Sequence, residues 1–207
     1  AEFACKGGAD WIQLRVKNKS FEEWLKIAVE TKSVCKKHTA KLIINDHVLI
    51  AKEIDADGVH LGKEDMNPED ARKILGNNFI IGGTANTIED VKKLVSNGCD
   101  YIGLGPFNFT STKEKLSPVL GLEGIHEILR SYLLRSGAGL VPYPGSGGVV
   151  HIIAIGGINI DDIKAILKTG VHGIAVSSAI NRSNDITGKT VEFIRSISKC
   201  SLREQNS

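Results

Sequence analysis

The sequence predicts a parallel α/β domain, a (β/α)8 barrel, and three observations indicate it. Short runs rich in Ile and Val alternate with longer amphipathic stretches from end to end. These runs are nearly continuous in apolar residues, which is typical of parallel strands covered by helices on both faces. No break in composition divides the 207 residues, so we expect one domain spanning residues 1–207.

Seven runs have the length and composition of strands. The stretches between them, such as 21–38 and 88–97, carry apolar residues at three- and four-residue spacing and predict helices. Pro68 stands just inside a helix start and Gly98 where a helix is expected to stop. The predicted strands are Trp11–Lys17, Lys41–Asp46, Gly58–Gly62, Phe79–Thr84, Tyr101–Pro106, Val149–Gly157 and Gly173–Ile180.

The number of strands distinguishes the two parallel architectures. Residues 2–8 have the pattern of a helix that precedes the first strand, so one further strand upstream would bring the count to eight. This favours a closed barrel whose first strand is absent over a doubly wound open sheet. We therefore expect the protein to extend upstream of residue 1.

One segment breaks the alternation. Residues 136–148 (SGAGLVPYPGSGG) form a connection much longer than the usual 2–6 residues. They join a helix to the next strand, which in a barrel places them on the amino-terminal face, away from an active site. We interpret them as a surface insertion.

Composition excludes several classes of function. The net charge of +2 gives no general field for nucleic acid or a membrane surface, and no run reaches the roughly 20 apolar residues of a spanning helix. There is no signal peptide pattern. The four cysteines are far apart and form no CxxC motif, so we expect reduced thiols and a cytoplasmic protein. The sequence leaves open whether the chain forms a homo-oligomer.

Catalytic residues of a barrel lie at the carboxyl ends of its strands. Along the first predicted strand, alternation places Gln13, Arg15 and Lys17 on one face and Leu14 and Val16 on the other. If the apolar face packs on helices, the polar face points into the barrel mouth. Two cations there predict an anion, most naturally phosphate. The alternative is a solvated edge strand.

The next two strands end in acidic residues. Asn45 and Asp46 end the second predicted strand, and Asp65 follows the third. Neighbouring strands are about 4.8 Å apart, so the two carboxylates are close enough to hold one hard cation. Oxygen ligands of this kind predict Mg²⁺ that also binds phosphate oxygens. The alternative is that each aspartate caps the following helix.

Two later segments predict further phosphate contacts. The loop after the fifth strand carries hydroxyls and a lysine at residues 110–113, although a polar surface loop would look similar. Gly156 and Gly157 follow the next strand, and Ser177 and Ser178 belong to the end of the last one. In barrels these two final strands often build a phosphate site together.

Three other residues have simpler interpretations. His60 lies within a strand and is interpreted as a hydrogen-bonded core histidine. Arg72 and Lys73 are interpreted as part of a solvated helix face.

Five segments together resemble the thiamine-phosphate synthase family. They occur in the family's order and cover nearly the whole chain. The resemblance implies a (β/α)8 barrel that condenses 4-amino-2-methyl-5-hydroxymethylpyrimidine diphosphate with thiazole phosphate, releasing pyrophosphate with the help of Mg²⁺. The segments are Gln-Leu-Arg-x-Lys at 13–17, Ile-Asn-Asp at 44–46, Asp-Gly-Val-His-Leu-Gly-x-Glu-Asp at 57–65, Gly-x-Gly-Pro and Thr-x-Thr-Lys within 103–113, and Ala-Ile-Gly-Gly-Ile at 154–158.

The resemblance also implies roles for individual residues. The Mg²⁺ ligands would be Asp46 and Asp65, and the catalytic cations Arg15, Lys17 and Lys113. The pyrimidine diphosphate would be held by Gln13, Arg15, Lys17, Asn45, Thr84 and Lys113. The thiazole phosphate would be held by Thr110, Thr112, Gly156, Gly157, Ser177 and Ser178.

The chain departs from the family pattern at Asn86, where the family usually has His, and at Ser177, where Val is common. Two rival functions share the fold. One is a relative that isomerises thiazole phosphate or acts as a regulator, and the other is a phosphate-binding barrel without catalysis. The relative is expected to lack part of the diphosphate and metal set. Since that set is complete here, the sequence favours the synthase.

Overall fold

The computed structural model of the protein describes residues 1–110, 117–136 and 150–204, without the side chains of 133–136 and 201–204. Seven strands form one parallel sheet in which the spatial order is the chain order. The parallel sheet and the alternation with helices confirm the predicted class. The strands are β1 (Trp11–Leu14), β2 (Lys41–Asn45), β3 (Gly58–Leu61), β4 (Ile80–Ala85), β5 (Tyr101–Leu104), β6 (His151–Ile155) and β7 (Gly173–Ala175).

Three helix starts follow from local sequence signals. Ser20 and Glu23 form a capping box at one helix, Thr87 and Asp90 form another, and Pro68 occupies a first turn as expected. The helices are α1 (Glu2–Lys6), α2 (Phe21–Lys37), α3 (Val48–Glu53), α4 (Pro68–Leu75), α5 (Ile88–Ser96), α6 (Gly121–Ser136), α7 (Ile163–Leu167, after a 3-10 turn at Ile160–Asp162), α8 (Ser178–Asn181) and α9 (Ile186–Glu204).

The core lies between the strands and the surrounding helices. Leu42 and Ile44 of β2 are fully buried and belong to one apolar cluster with Trp24 of α2. Ile102 of β5 belongs to a second cluster with Ile125 of α6. Because alternate strand residues enter these clusters, the residues between them face the opposite side of the sheet.

The sheet is strongly curled. The rings of Trp11 in β1 and Tyr101 in β5 are in edge contact, with centroids 5.6 Å apart. In a flat sheet these strands would be separated by four spacings of about 4.8 Å each. The helices at the two ends of the chain also meet, since the Thr187 hydroxyl in α9 donates to the Phe3 carbonyl oxygen in α1 at 3.0 Å. The seven strands therefore form a half-barrel, and within the described residues β1 and β7 each pair on one side only.

Six of the seven predicted strands are longer than the observed ones, and two of them show why. The strand predicted over 173–180 ends at Ala175, and α8 begins at Ser178 instead. Its partner β6 ends at Ile155, so the ladder has no residue beyond the Ile155–Ala175 pair. The strand predicted over 11–17 similarly ends at Leu14, which pairs with Ile44 near the end of β2.

The segment interpreted as a surface insertion begins at Ser136, the last residue of α6, and residues 137–149 lie outside the described part of the chain. Among the described helices, none combines the length and apolar composition needed to cross a membrane.

Candidate functional site

The ends of β1 and β2 hold the first group of predicted residues together. The Gln13 side-chain Nε2 donates to Asn45 Oδ1 at 2.8 Å. Leu14 and Val16 pack against the apolar cluster of α2, while Arg15 and Lys17 are exposed on the opposite side. Exposure therefore alternates along this segment as expected, and the two cations lie beyond the end of β1.

The two predicted metal ligands follow neighbouring strands. Asp46 comes directly after β2 with a positive φ of 68°, and its N–H donates to the His60 carbonyl oxygen in β3 at 2.9 Å. Asp65 follows β3 and accepts the Gly62 N–H through Oδ2 at 2.6 Å. This bond closes a tight turn and orients the carboxylate.

The capping alternative for these aspartates is wrong, because the N-cap residues of α3 and α4 are His47 and Asn67. Among the described residues, no group of three or more His, Cys, Asp or Glu side chains forms a metal cluster. Two carboxylates at adjacent strand ends fit a hard divalent cation that takes its other ligands from substrate and water.

Thr84 is joined to a buried chain of polar groups inside the half-barrel. Its hydroxyl lies 2.9 Å from His60 Nε2, and His60 Nδ1 lies 2.9 Å from the Tyr101 hydroxyl. Burial raises the pKa of Tyr101, so its hydroxyl stays protonated. The interpretation of His60 as a hydrogen-bonded core residue is confirmed. Its contact with Thr84 was not predicted, although both residues face the inside of the half-barrel.

The loop after β5 is joined to the end of β6. The Phe107 N–H donates to the Ile155 carbonyl oxygen at 2.8 Å, and the Asn108 N–H donates to the Gly156 carbonyl oxygen at 2.9 Å. Gly156 and Gly157 both have positive φ, 87° and 69°. An added Cβ at Gly157 would lie 2.6 Å from the Asn108 carbonyl oxygen, so only glycine fits so close to the loop.

These contacts bring together two predicted phosphate-binding segments that are more than 40 residues apart in the sequence. Thr110 is the described member of the hydroxyl group in this loop, while Thr112 and Lys113 lie outside the described residues.

Ser177 and Ser178 lie at the same end of the sheet. Ile155 pairs with Ala175 in the ladder, and Gly157 and Ser177 each come two residues later. Ser177 is the N-cap residue of α8, and its hydroxyl oxygen accepts the Asn181 side-chain amide at 3.3 Å. The two serines therefore begin a short helix beside the glycines rather than ending a strand.

A second set of contacts joins the turn after β3 to the start of α5. Lys63 in the turn before Asp65 forms a 2.5 Å ion pair with Asp90 at the start of α5. Partial burial would raise the pKa of Asp90, but the Lys63 ammonium and the Asn86 N–H together hold it below its ordinary value. No local sequence pattern points to this pair, since its members belong to different βα units.

The opposite end of the sheet carries a concavity of about 270 Å³. Two of its charged groups are engaged by the backbone: Asp57 Oδ2 accepts the Leu42 N–H at 2.8 Å, and the Lys32 ammonium donates to the Asp55 carbonyl oxygen. We therefore assign this concavity a structural role. The predicted polar residues gather instead at the carboxyl ends of the strands.

The fold and the site together define a class: a curled parallel α/β protein whose polar groups surround the carboxyl ends of its strands, as in phosphate-binding barrels. Residues 1–180 match the thiamine monophosphate synthase family. The chain belongs to this family.

Individual relatives agree with this assignment. The chain is 50% identical over 182 residues to a thiamine-phosphate synthase from Flavobacterium johnsoniae, covering 88% of this chain and 81% of the relative. It is 50% identical over 194 residues to one from Bacteroides fragilis, covering 94% and 90%. The solved structure of a thiamine phosphate pyrophosphorylase from Pyrococcus furiosus is 34% identical and superposes with a TM-score of 0.80, covering 96% of this chain and 88% of that one.

Proposed function

We propose that this chain is a thiamine-phosphate synthase, a transferase that joins a pyrimidine diphosphate to thiazole phosphate and releases pyrophosphate. The observation that carries the proposal is its roughly 50% identity to synthases over most of its length. The site is consistent with it, because two segments predicted to bind phosphate are hydrogen-bonded to each other at one end of the sheet.

The diphosphate would lie over β1, β2 and β4. Arg15 and Lys17 bring positive charge to this end of the sheet. The hydrogen bond between Gln13 of β1 and Asn45 of β2 fixes two polar side chains beside them. Charged donors bind phosphate oxygens more strongly than neutral donors do. The residues proposed to hold the diphosphate are Gln13, Arg15, Lys17, Asn45, Thr84 and Lys113.

Mg²⁺ would be held by Asp46 and Asp65. Their oxygen-only donors at adjacent strand ends suit a cation that prefers carboxylate, phosphate and water oxygens. When bound, the ion would neutralise charge on the diphosphate. The turn closed by the Gly62 N–H would keep the Asp65 carboxylate oriented without the ion.

The thiazole phosphate would lie over β5, β6 and β7. Gly156 and Gly157 carry no side chain of their own that would keep a phosphate away from their backbone N–H groups. The residues proposed to contact it are Thr110, Thr112, Gly156, Gly157, Ser177 and Ser178.

In the proposed reaction the bond between the pyrimidine methylene carbon and the diphosphate oxygen breaks first, and pyrophosphate leaves with the electron pair. The pyrimidine ring stabilises the resulting cation, and the thiazole nitrogen then forms the new carbon–nitrogen bond. Arg15, Lys17 and Lys113 would stabilise charge that grows on the leaving group. No covalent nucleophile is required.

We also propose that the half-barrel is part of a (β/α)8 barrel. A strand between β7 and β1 would pair both edges and cover Ala175 and Trp11, which are exposed at those edges. The contact between α1 and α9 already brings the two sides together on the outer surface.

The test is to mix purified protein with both substrates and Mg²⁺ and to measure thiamine phosphate and pyrophosphate. We expect both products in equal amounts. Asp65→Asn should reduce turnover by a factor of about 100 or more with little change in melting temperature. Lys73→Ala, a change on an exposed helix face, is the matched control.

A folded wild-type protein that makes neither product would overturn the proposal. Conversion of thiazole phosphate to an isomer would then indicate the isomerase-like relative. Binding of either substrate without any conversion would indicate a phosphate-binding barrel.

A further inference from the structure

Asn86 is a buried polar residue outside the set that the family resemblance implies. It directly follows β4, two residues after Thr84, and is 8% exposed. Its own N–H donates to Asp90 Oδ2 at 2.9 Å, and Asp90 belongs to the capping box of α5. The backbone that carries the amide is therefore fixed to the start of a helix.

The Asn86 side chain connects two separate parts of the loop after β5. Its Nδ2 donates to the Gly105 carbonyl oxygen, where the chain leaves β5. Its Oδ1 accepts the Ser117 hydroxyl at 2.9 Å, where the chain returns toward α6. One amide thus joins the outgoing and returning sides of the loop to β4.

The bonding groups require this residue type. The Gly105 carbonyl is buried and needs a donor, whereas the Ser117 hydroxyl donates and needs an acceptor. A carboxamide provides one of each within a single short side chain. Alanine would remove both bonds, and aspartate would remove the donor and place negative charge beside the carbonyl oxygen.

The same loop reaches the proposed thiazole phosphate site. Its outgoing side pairs with β6 through Phe107 and Asn108, and Thr110 follows two residues later. Its returning side bonds the outgoing side again, since the Leu120 N–H donates to the Pro106 carbonyl oxygen at 2.9 Å. Asn86 is the side chain that bonds both sides from β4.

We propose that Asn86 is a positioning residue, which holds the two sides of this loop so that Thr110 faces the thiazole phosphate. It acts through Gly105 and Ser117 and does not touch substrate. The expected change in kinetics rests on the proposed function. The expected loosening of the loop in an Asn86 variant does not depend on that function.

The first measurement is amide hydrogen exchange in wild type, Asn86→Ala and the control Asn97→Ala. Asn97 also carries a hydrogen-bonded amide, which donates to Asn67 Oδ1 at 3.1 Å, but it lies at the opposite end of α5. We expect residues 105–110 and 117–121 to exchange at least tenfold faster only in Asn86→Ala. Unchanged exchange in this loop would overturn the proposal even if the wild type proved inactive.

The second measurement is steady-state kinetics. Asn86→Ala should raise KM for thiazole phosphate about tenfold, equivalent to about 1.4 kcal/mol, while KM for the pyrimidine diphosphate changes less than twofold. A purely structural role would instead lower kcat through loss of folded protein and leave both KM values unchanged.

A double-mutant cycle tests whether Asn86 acts through its hydrogen bond to Ser117. Ser117→Ala alone should raise KM for thiazole phosphate severalfold, and adding it to Asn86→Ala should have no further effect because the bond is already lost. Additive effects would show that the two residues act separately and would refute the proposed link.

Discussion

Replacing Gly157 by alanine tests the close approach of the loop after β5 to the end of β6. Gly157 has a φ of 69°, a conformation that L-residues adopt at a cost of about 1–2 kcal/mol. The added Cβ would also lie 2.6 Å from the Asn108 carbonyl oxygen and 2.7 Å from that of Phe109. Both neighbours are backbone atoms, so neither can avoid the methyl group by changing rotamer.

The size of the effect follows from this geometry. Ordinary contact begins at 3.4 Å, so the difference from 2.6 Å, about 0.8 Å, is how far the loop must move. Overpacking of this kind costs about 1–3 kcal/mol. Together with the backbone term, we expect the free energy of unfolding to fall by about 2–5 kcal/mol. A shift of about 1 Å at a site can reduce its rate by a factor of about 100.

Gly170→Ala is the matched control, because Gly170 has a φ of 94° but nothing within 4 Å of an added Cβ. It should lose only the backbone term of about 1–2 kcal/mol. Urea unfolding of both variants gives the two free energies, and kcat/KM for thiazole phosphate reports the shift of the loop. Equal losses of stability in the two variants, with unchanged kinetics, would refute the steric argument.

Three further predictions concern the supporting structure and the metal. Arg72→Met should lower the free energy of unfolding by about 2–4 kcal/mol, because it removes the ion pair with Asp100 and the guanidinium hydrogen bonds to two carbonyl oxygens. Lys73→Met should change it by less than about 0.5 kcal/mol in the same urea titration. Asp90, with its pKa lowered below the ordinary 3.8 by Lys63, contributes stability that is present above pH 3.8 and lost as pH falls through the folded value. Asp90→Asn should therefore flatten the acid limb of a melting-temperature profile, and an unchanged limb would contradict this assignment. Removing Mg²⁺ with a chelator should abolish product formation and restoring it should recover the rate, while activity that persists in the chelator would exclude the metal.

Much of the fold follows from local pattern. Apolar runs such as Leu42–Ile44 and the capping residues Ser20 and Thr87 carry their signals within a few positions, so the class and the order of the strands could be predicted. The lengths of the strands could not. β7 stops at Ala175 because its partner β6 stops, and a partner that is distant in the sequence leaves no local signal.

The candidate site divides in the same way. Alternation predicts one face for Gln13, Arg15 and Lys17, and all three are exposed while Leu14 and Val16 pack against the core. The interpretation of Arg72 as a solvated residue was wrong, since its guanidinium donates to the Asp100 carboxylate at 2.7 Å and to the Gly98 carbonyl oxygen at 3.3 Å. That partner comes from a different βα unit, 28 residues away, so composition alone could not reveal it.

Contacts between different loops were the least predictable part. The bond between Asn86 and Ser117 spans 31 residues, and the pairing of Phe107 with Ile155 spans 48. No repeat or motif in the sequence indicates either contact, because both depend on how two distant loops are arranged in the folded chain.

The contact between α1 and α9 has a consequence for the order of folding. Every strand pairs with the strand that immediately precedes it in the chain, so the sheet can grow one unit at a time during synthesis. The bond from Thr187 to the Phe3 carbonyl oxygen spans 184 residues. Because α9 is the last described helix to be synthesised, this contact can form only after α9 has left the ribosome. Until then the nascent chain exposes the surface of α1 that α9 later covers, which is the interval in which chaperones have access to it.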